Sequence, residues 1–259
     1  MLIRNLPGTP LETSIIALLL ASGIVGCLIG TVGIGGILLI PVLMGLADLN
    51  PHQASATALF TFIFTGILGT ALYQRKGSID WRQTLVVCGA AIVFSYLGAA
   101  ASSFVDGVIL ARIIAVLICF AGLYVFIPEN APIAGPLVFR RNTLFSIGAA
   151  AGLGSGFSGA GGPLFSVPLM VIAGFSPLSA IGTSQVLQIF SAGAGTLANL
   201  RYGDIHWPIV AVVTVAELVG VLFGAAIAHA VSGLLLKRLA GAICLAVGAG
   251  LLFVSASMG

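Results

Sequence analysis

Long apolar runs, separated by short polar segments, dominate the chain. A helix needs about 20 apolar residues to cross the hydrocarbon core of a bilayer. The pattern therefore predicts an all-α polytopic membrane protein, with long runs as helices and two runs too short to cross unaided. The long runs are Thr13–Gly30, Ala54–Tyr73, Thr84–Ser103, Val108–Ile127, Thr143–Gly154, Ala180–Leu200, Ile209–Ala230 and Leu239–Ser255, and the short ones are Ile37–Ala47 and Leu164–Ala173.

The composition agrees with this pattern. Hydrophobic residues make up 59% of the 259 residues and charged residues only 7%, whereas soluble domains carry about 25% charged residues. Two short basic segments between the runs, Arg75–Arg82 and the pair Arg140 and Arg141, are predicted to be cytoplasmic by the positive-inside rule. So few charges form no basic face for phosphate groups. We therefore expect membrane lipids, and not nucleic acid, as partners.

The second half of the chain repeats the first at a shift of 126 positions. Chance similarity between apolar segments would match Leu and Ala, but here Gly, Pro, Arg and Trp coincide in register. A tandem duplication is therefore predicted. The matched pairs include Gly33 and Gly159, Pro51 and Pro177, Thr57 and Thr183, Arg75 and Arg201, and Trp81 and Trp207.

The duplication divides the chain into a first transmembrane repeat (residues 1–127), a cytoplasmic linker (128–142) and a second transmembrane repeat (143–259). Each repeat is expected to hold about four long transmembrane helices plus one short helix, broken or re-entrant, after a glycine-rich break. Inverted and parallel repeats both fit the basic residues. The inverted arrangement is favoured because it is the commoner transporter design when helices are broken.

The glycine-rich breaks are the strongest candidate for a binding site. Glycine is unfavourable inside a helix, and broken backbone survives in a membrane only where it is buried or lines a wet cavity. The short helix after each break begins with free N–H groups, which favour an anion. Close helix packing is the alternative use of such glycines. The candidate residues are Gly33, Gly35 and Gly36 in the first repeat, and Ser158, Gly159, Gly161 and Gly162 in the second.

Polar side chains follow each short run and supply further candidates. Thr57 in the first repeat, and Thr183, Gln185 and Gln188 in the second, are expected to donate hydrogen bonds to a substrate. The alternative for the hydroxyls is a bond to their own helix or to a neighbouring one. Glu217 lies in the middle of an apolar run, where ionisable residues are rare and functional by default, so it is the candidate for proton coupling. The alternatives are a pair with a neighbouring helix and a position nearer the membrane interface.

Enzyme chemistry is not indicated by this sequence. No catalytic triad, metal-ligand cluster or cofactor motif is present, so no cofactor and no metal are expected. The four cysteines all lie within apolar runs without the spacing of a metal site, and small hydrophobic roles are expected for them.

The pattern Gly33-Ile-Gly35-Gly36, its counterpart Gly159-Ala-Gly161-Gly162, and the Arg-x-Gly-x-Ile-x-Trp turns at Arg75 and Arg201 resemble the TauE/SafE sulfite exporter family over essentially the whole chain. The resemblance implies a bacterial inner-membrane transporter of small sulfur-containing anions, usually described as two four-helix units. The glycine motif of the family maps onto Gly33, Gly35 and Gly36, and onto Gly159, Gly161 and Gly162. The chain departs from many members after each motif, with Ile37 in the first repeat and Pro163 in the second where they continue with glycine.

These observations predict a secondary transporter of sulfite or an organosulfonate, multi-pass in the bacterial inner membrane. The anion is expected near mid-membrane, between the two helix N-termini. A passive anion channel and a membrane subunit without transport activity are the alternatives. A homodimer is compatible with the sequence, which leaves the oligomeric state, the coupling ion and the direction of transport open.

Overall fold

The computed structural model describes residues 11–33, 35–125, 141–230, 242 and 245–253, and the regular elements in this part of the chain are helices. The prediction of an all-α polytopic membrane protein is confirmed. The predicted linker lies outside the described residues, apart from Arg141 and Asn142. The helices are α1 (Leu11–Val32), a short 3-10 helix (Gly35–Leu38), α2 (Leu39–Leu46), α3 (Pro51–Arg75), α4 (Trp81–Ser102), α5 (Gly107–Val125), α6 (Arg141–Ser158), α7 (Pro163–Ile172), α8 (Pro177–Tyr202), α9 (Trp207–Ala230) and residues 245–253.

Polar caps fix where several helices begin. The side chain of Asn50 accepts a hydrogen bond from Gln53 N at 2.9 Å before α3, and Ser176 accepts one from Ser179 N at 3.3 Å before α8. Asp80 accepts from Arg82 N at 3.0 Å before α4. Such caps satisfy N–H groups that have no partner inside the helix. They explain why the helices begin a few residues before the apolar runs.

Four of the described helices are long and apolar enough to cross a membrane: α1, α3, α4 and α9. Helix α8 has 26 residues but is more polar. Its polar side chains, from Thr183 to Asn199, are buried against the rest of the protein. A polar helix is tolerated at membrane depth when protein surrounds it, so α8 is suited to the centre of the fold.

Two pairs of helices pack closely along small residues. Helix α9 lies against α1, where Gly220 is so near Gly23 O that no Cβ fits between them. Helix α6 lies against α4 in the same way, with Gly148 facing Val87 O and Gly156 facing Ser95 O. Without a hydrophobic driving force between helices in lipid, small residues let the backbones approach and gain dispersion energy. The two pairs are equivalent under the shift of 126 positions.

Helices α3 and α8 cross at the centre and run antiparallel. The start of α3 lies beside the end of α8, where Gln53 Nε2 donates to Asp204 Oδ2 at 2.6 Å. At the other end, a Cβ added to Gly182 near the start of α8 would lie 3.0 Å from Ser78 O, just after α3. These helices are equivalent in the duplication, so their opposite directions favour the inverted arrangement.

The second break begins later in the chain than the end of the predicted run Thr143–Gly154. Helix α6 continues through Gly154 and Gly156 to Ser158. Gly154 faces the Phe165 ring, with an added Cβ 2.7 Å from it, and Gly156 faces Ser95. These two glycines therefore serve close packing, the alternative use considered for them, and only the residues from Gly159 onward interrupt the helix.

Candidate functional site

Both glycine-rich breaks contain left-handed backbone. Gly33 has φ +76° and ends α1, while Gly159 and Gly161 have φ +72° and +79° between α6 and α7. A residue with a Cβ rarely adopts these angles, so glycine is required to turn the chain there. After the first turn the chain folds back onto α1. Gly35 lies so close to that helix that a Cβ added to it would be 2.7 Å from Ile29 N. After the second, Pro163 occupies the first turn of α7 as predicted.

The structure brings the two breaks into contact. A Cβ added to Gly36 would lie 3.0 Å from Ala160 O, and one added to Gly33 would lie 3.5 Å from Pro163 Cβ. The breaks are thus neighbours across the repeat interface, and their glycines are buried. The candidate glycines of both repeats form one cluster, and the packing around it is close.

Ser158 organises the second break. Its hydroxyl donates to Gly154 O at 2.6 Å and accepts from Ala160 N at 3.2 Å. Its carbonyl oxygen accepts a hydrogen bond from Ser55 Oγ on α3 at 3.2 Å. Ser158 therefore acts as a cap between α6 and the turn, and its contact with Ser55 ties the break to the other repeat.

The two glutamines of α8 reach the breaks from the centre of the fold. Gln185 Nε2 donates to Ile29 O, in the last turn of α1, at 3.2 Å. Gln188 Nε2 donates to Phe62 O at 3.2 Å and to Thr65 Oγ1 at 2.8 Å, both on α3. A Cβ on Gly161 would lie 3.8 Å from Gln188 Oε1. Gln185 Oε1 is buried without a hydrogen-bond partner among the described residues.

The two candidate threonines do not face the breaks. Thr57 Oγ1 accepts from His206 N at 3.0 Å, in the loop between α8 and α9. Thr183 Oγ1 shares a hydrogen bond of 3.1 Å with Thr84 Oγ1 on α4. In this conformation both hydroxyls hold neighbouring elements together, so their assignment as substrate ligands stays a prediction.

Sequence reasoning missed two aromatic residues beside the breaks. The Phe62 ring lies between the two glycine clusters, 3.0 Å from a Cβ added to Gly36 and 3.2 Å from one added to Gly161. The Tyr73 side chain is fully buried, and its hydroxyl donates to Gly30 O at 2.9 Å. Aromatic residues inside apolar runs look like ordinary lipid-facing or core residues, so only their contacts distinguish these two.

Glu217 lies inside the bundle, on α9 where it faces α1 and α3. Its side chain is fully buried, and neither carboxyl oxygen has a hydrogen-bond partner in the described part of the chain. The Thr61 hydroxyl on α3 is close enough to interact with it, although this hydroxyl donates to Ala58 O at 2.9 Å within its own helix. Burying a charged carboxyl is costly, and the assignment of Glu217 to proton coupling stays a prediction.

Two pockets open at opposite ends of the α3–α8 pair. The first, of about 320 Å³, is called the Asn199 pocket. The second, of about 350 Å³, is called the Asp80 pocket. The Asn199 pocket is lined by Asn50, His52, Gln53, Ser55, Ser102, Ser103, Leu110, Gly156, Asn199, Tyr202, Gly203 and Asp204, and the Asp80 pocket by Gly77, Ser78, Ile79, Asp80, Ser176, Leu178 and Ser179.

Comparisons with known proteins identify relatives of the whole fold. The family described as "Sulfite exporter TauE/SafE" matches residues 18–251. A "Probable membrane transporter protein" of Xylella fastidiosa (strain Temecula1) is 28% identical over 247 residues, covering 90% of this chain and 93% of that protein. "Probable membrane transporter protein YdhB" of Bacillus subtilis is 26% identical over 227 residues, covering 85% and 93%. No solved structure matches the chain significantly.

Proposed function

Because the chain belongs to the sulfite exporter TauE/SafE family, and is thus a multi-pass membrane transporter and not an enzyme, we propose that it carries a small sulfur-containing anion, sulfite or an organosulfonate, by a secondary mechanism. The observation that carries this proposal is the contact between the two glycine breaks, where Gly36 approaches Ala160 O. Two helix starts, one from each repeat, meet there.

The chemistry of the breaks suits an anion. Backbone N–H groups at the start of a helix carry partial positive charge and lack partners inside the helix. Two polar side chains that reach the breaks, Gln185 and Gln188, are neutral and donate through their amides. A site made of dipoles holds an anion without a buried cation, which would be costly at membrane depth and would slow release.

Substrate binding at this site requires some rearrangement. The glycines are buried and the Phe62 ring lies against both Gly36 and Gly161. A shift of this ring, or of Gln188, which donates to Phe62 O, would open space between the breaks. A carrier exposes its site to one side of the membrane and then to the other, and this requires packed elements that can adopt two arrangements.

Proton coupling through Glu217 is the second part of the proposal. The equivalent residue in the first repeat is Ala91, which packs beside Gly152 as Glu217 packs beside Gly26. Of these two equivalent positions, only the one in the second repeat carries a carboxyl group. Its neighbour Thr61 precedes Phe62 on α3, so a change in the charge of Glu217 would act close to the anion site.

Reconstitution into liposomes tests the proposal. We expect saturable uptake and counterflow for at least one of sulfite, taurine, isethionate and sulfoacetate, with sulfate and acetate as comparison anions. Flux without saturation or counterflow would instead indicate a channel. Transport of carboxylates in preference to all sulfur-containing anions would refute the substrate class.

A further inference from the structure

The two pockets occupy equivalent positions in the two repeats. Three residues that line the Asn199 pocket have counterparts, at a shift of 126 positions, that line the Asp80 pocket. Asn50 corresponds to Ser176, Gln53 to Ser179 and Asp204 to Ser78. Since α3 and α8 are antiparallel, the pockets open on opposite sides of the bundle. A duplicated carrier that alternates between its two faces has related openings of this kind.

The Asn199 pocket is the deeper of the two. It continues past the loops to Ser55, Gly156 and Asn199 in the interior. Its floor reaches the second break, because a Cβ added to Gly159 would lie 2.7 Å from Ser55 Cα, and Ser55 Oγ bonds Ser158 O at 3.2 Å. The described lining of the Asp80 pocket consists of loop residues and residues in the first turns of helices.

Tyr73 accounts for the difference in depth. Tyr73 is the counterpart of Asn199, and Gly30 is the counterpart of Gly156. Where the first pocket is open between Asn199 and Gly156, the Tyr73 side chain is fully buried and its hydroxyl donates to Gly30 O at 2.9 Å. Ser55 and its counterpart Ile181 are both buried, at 7% and 4% exposure, but Ser55 lines the Asn199 pocket, whereas Ile181 is not among the described residues that line the Asp80 pocket. The larger side chain fills the space that is open on the other side.

We infer that the structure is a one-side-open conformation, in which the Asn199 pocket is the access site for the anion and Tyr73 is the closed gate of the opposite path. The Asp80 pocket lies beside the basic segment Arg75–Arg82, which the positive-inside rule assigns to the cytoplasm. The open pocket then faces outward. This inference rests on the proposed function for the identity of the solute, but its geometry does not depend on which anion is carried.

The lining of the open pocket suits an anion that keeps part of its water. Asn199, Ser55 and Asn50 present neutral polar groups. Among the described lining residues Asp204 is the one carboxylate, and one of its oxygens accepts a hydrogen bond from Gln53 Nε2 at 2.6 Å. A pocket of about 320 Å³ is large enough for a small hydrated anion, and neutral donors release it without the penalty of separating an ion pair.

Cysteine accessibility in the full-length protein tests the inference. The matched pair is Ser55→Cys and Ile181→Cys, made in a background where Cys27, Cys88, Cys119 and Cys244 are alanine. A membrane-impermeant thiol reagent is added to right-side-out or inverted vesicles. We expect Ser55→Cys to react at least 10-fold faster from outside than Ile181→Cys reacts from the cytoplasmic side. Adding Tyr73→Ala to Ile181→Cys should raise the cytoplasmic rate at least 5-fold.

Each outcome bears on the gate directly. The inference would be overturned if Ser55→Cys from outside and Ile181→Cys from the cytoplasmic side reacted at equal rates, or if Tyr73→Ala had no effect on the rate. A normal thermal unfolding curve for each variant confirms that the protein is folded. Reaction of Ser55→Cys only from the cytoplasmic side would also overturn it. If the labelling pattern holds but sulfite and organosulfonates neither slow labelling nor are transported, the gate stands and the proposed substrate class fails.

Discussion

Gln188 Nε2 donates to Phe62 O at 3.2 Å, and the two residues are separated by 126 positions, the shift that relates the two repeats. They are therefore equivalent residues in contact, on helices α3 and α8 that cross in opposite directions. A pseudo-two-fold axis between them, in the plane of the membrane, would exchange the repeats. This contact supports the inverted arrangement and puts the glycine breaks, which flank Phe62, next to the axis.

Replacing Gln188 by alanine is expected to weaken both packing and transport. The change removes the bonds to Phe62 O and Thr65 Oγ1, each with a net contribution of about 1 kcal/mol. We expect a loss of roughly 1–3 kcal/mol in stability and a reduction of at least 5-fold in initial transport rate. Thermal unfolding in detergent and liposome uptake measure the two effects. The control is Leu197→Ala on the same helix, where the side chain is 63% exposed; equal losses in both variants would contradict a specific role for Gln188.

The close approach at Gly36 makes a second prediction. An added methyl group would lie 3.0 Å from both Ala160 O and the Phe62 ring, so the two breaks would have to separate. Overpacking of this kind costs about 1–3 kcal/mol. We expect Gly36→Ala to slow transport strongly, as measured by counterflow in liposomes. Gly45→Ala, on the same short segment but with nothing within 4 Å of the added Cβ, should transport normally, and a comparable defect there would argue against a site at the breaks.

Helix positions and the breaks could be predicted from the sequence, but the details of the site could not. Apolar runs locate helices because about 20 residues are needed to cross a bilayer. Glycine density alone does not separate Gly159, whose φ is +72°, from Gly156, which is helical and packs against Ser95. A left-handed turn and a close helix contact both require glycine. Which of the two a given glycine serves depends on the helix that packs against it.

The same limit applies to the polar side chains. Thr57 and Gln188 both lie in runs that follow a short helix, yet Thr57 holds the loop at His206 and Gln188 reaches the other repeat. Spacing along a helix gives the face on which a side chain lies and not the neighbour on that face. The contact of Tyr73 could not be predicted from the sequence for the same reason, because its hydrogen-bond partner Gly30 is 43 positions away.

Replacing Glu217 by glutamine tests proton coupling. The amide keeps the size of the side chain but cannot gain or lose a proton, so proton movement that accompanies net anion transport should disappear, and the transport rate should lose its dependence on pH. Anion counterflow involves no net proton movement and should continue. A pH-sensitive dye inside the liposomes reports the proton flux. Glu217→Asp, which retains a carboxyl group, should keep measurable coupling; proton flux that is unchanged in Glu217→Gln would exclude this residue as the proton carrier.

The backbone contact between α1 and α9 leads to a prediction about stability. A Cβ on Gly220 would meet Gly23 O and lie 2.7 Å from Cys27 N, so alanine there must push the two helices apart. Backbone atoms cannot yield as a flexible side chain does, and the lost dispersion contacts and strain should lower the stability by roughly 1–3 kcal/mol. Gly89→Ala on α4, where nothing lies within 4 Å of the added Cβ, is the matched control. We expect it to be neutral or slightly stabilising, because alanine favours the helix by up to about 1 kcal/mol over glycine. Thermal unfolding in detergent separates the two variants, and equal midpoints would show that the α1–α9 contact tolerates a methyl group and is looser than its geometry indicates.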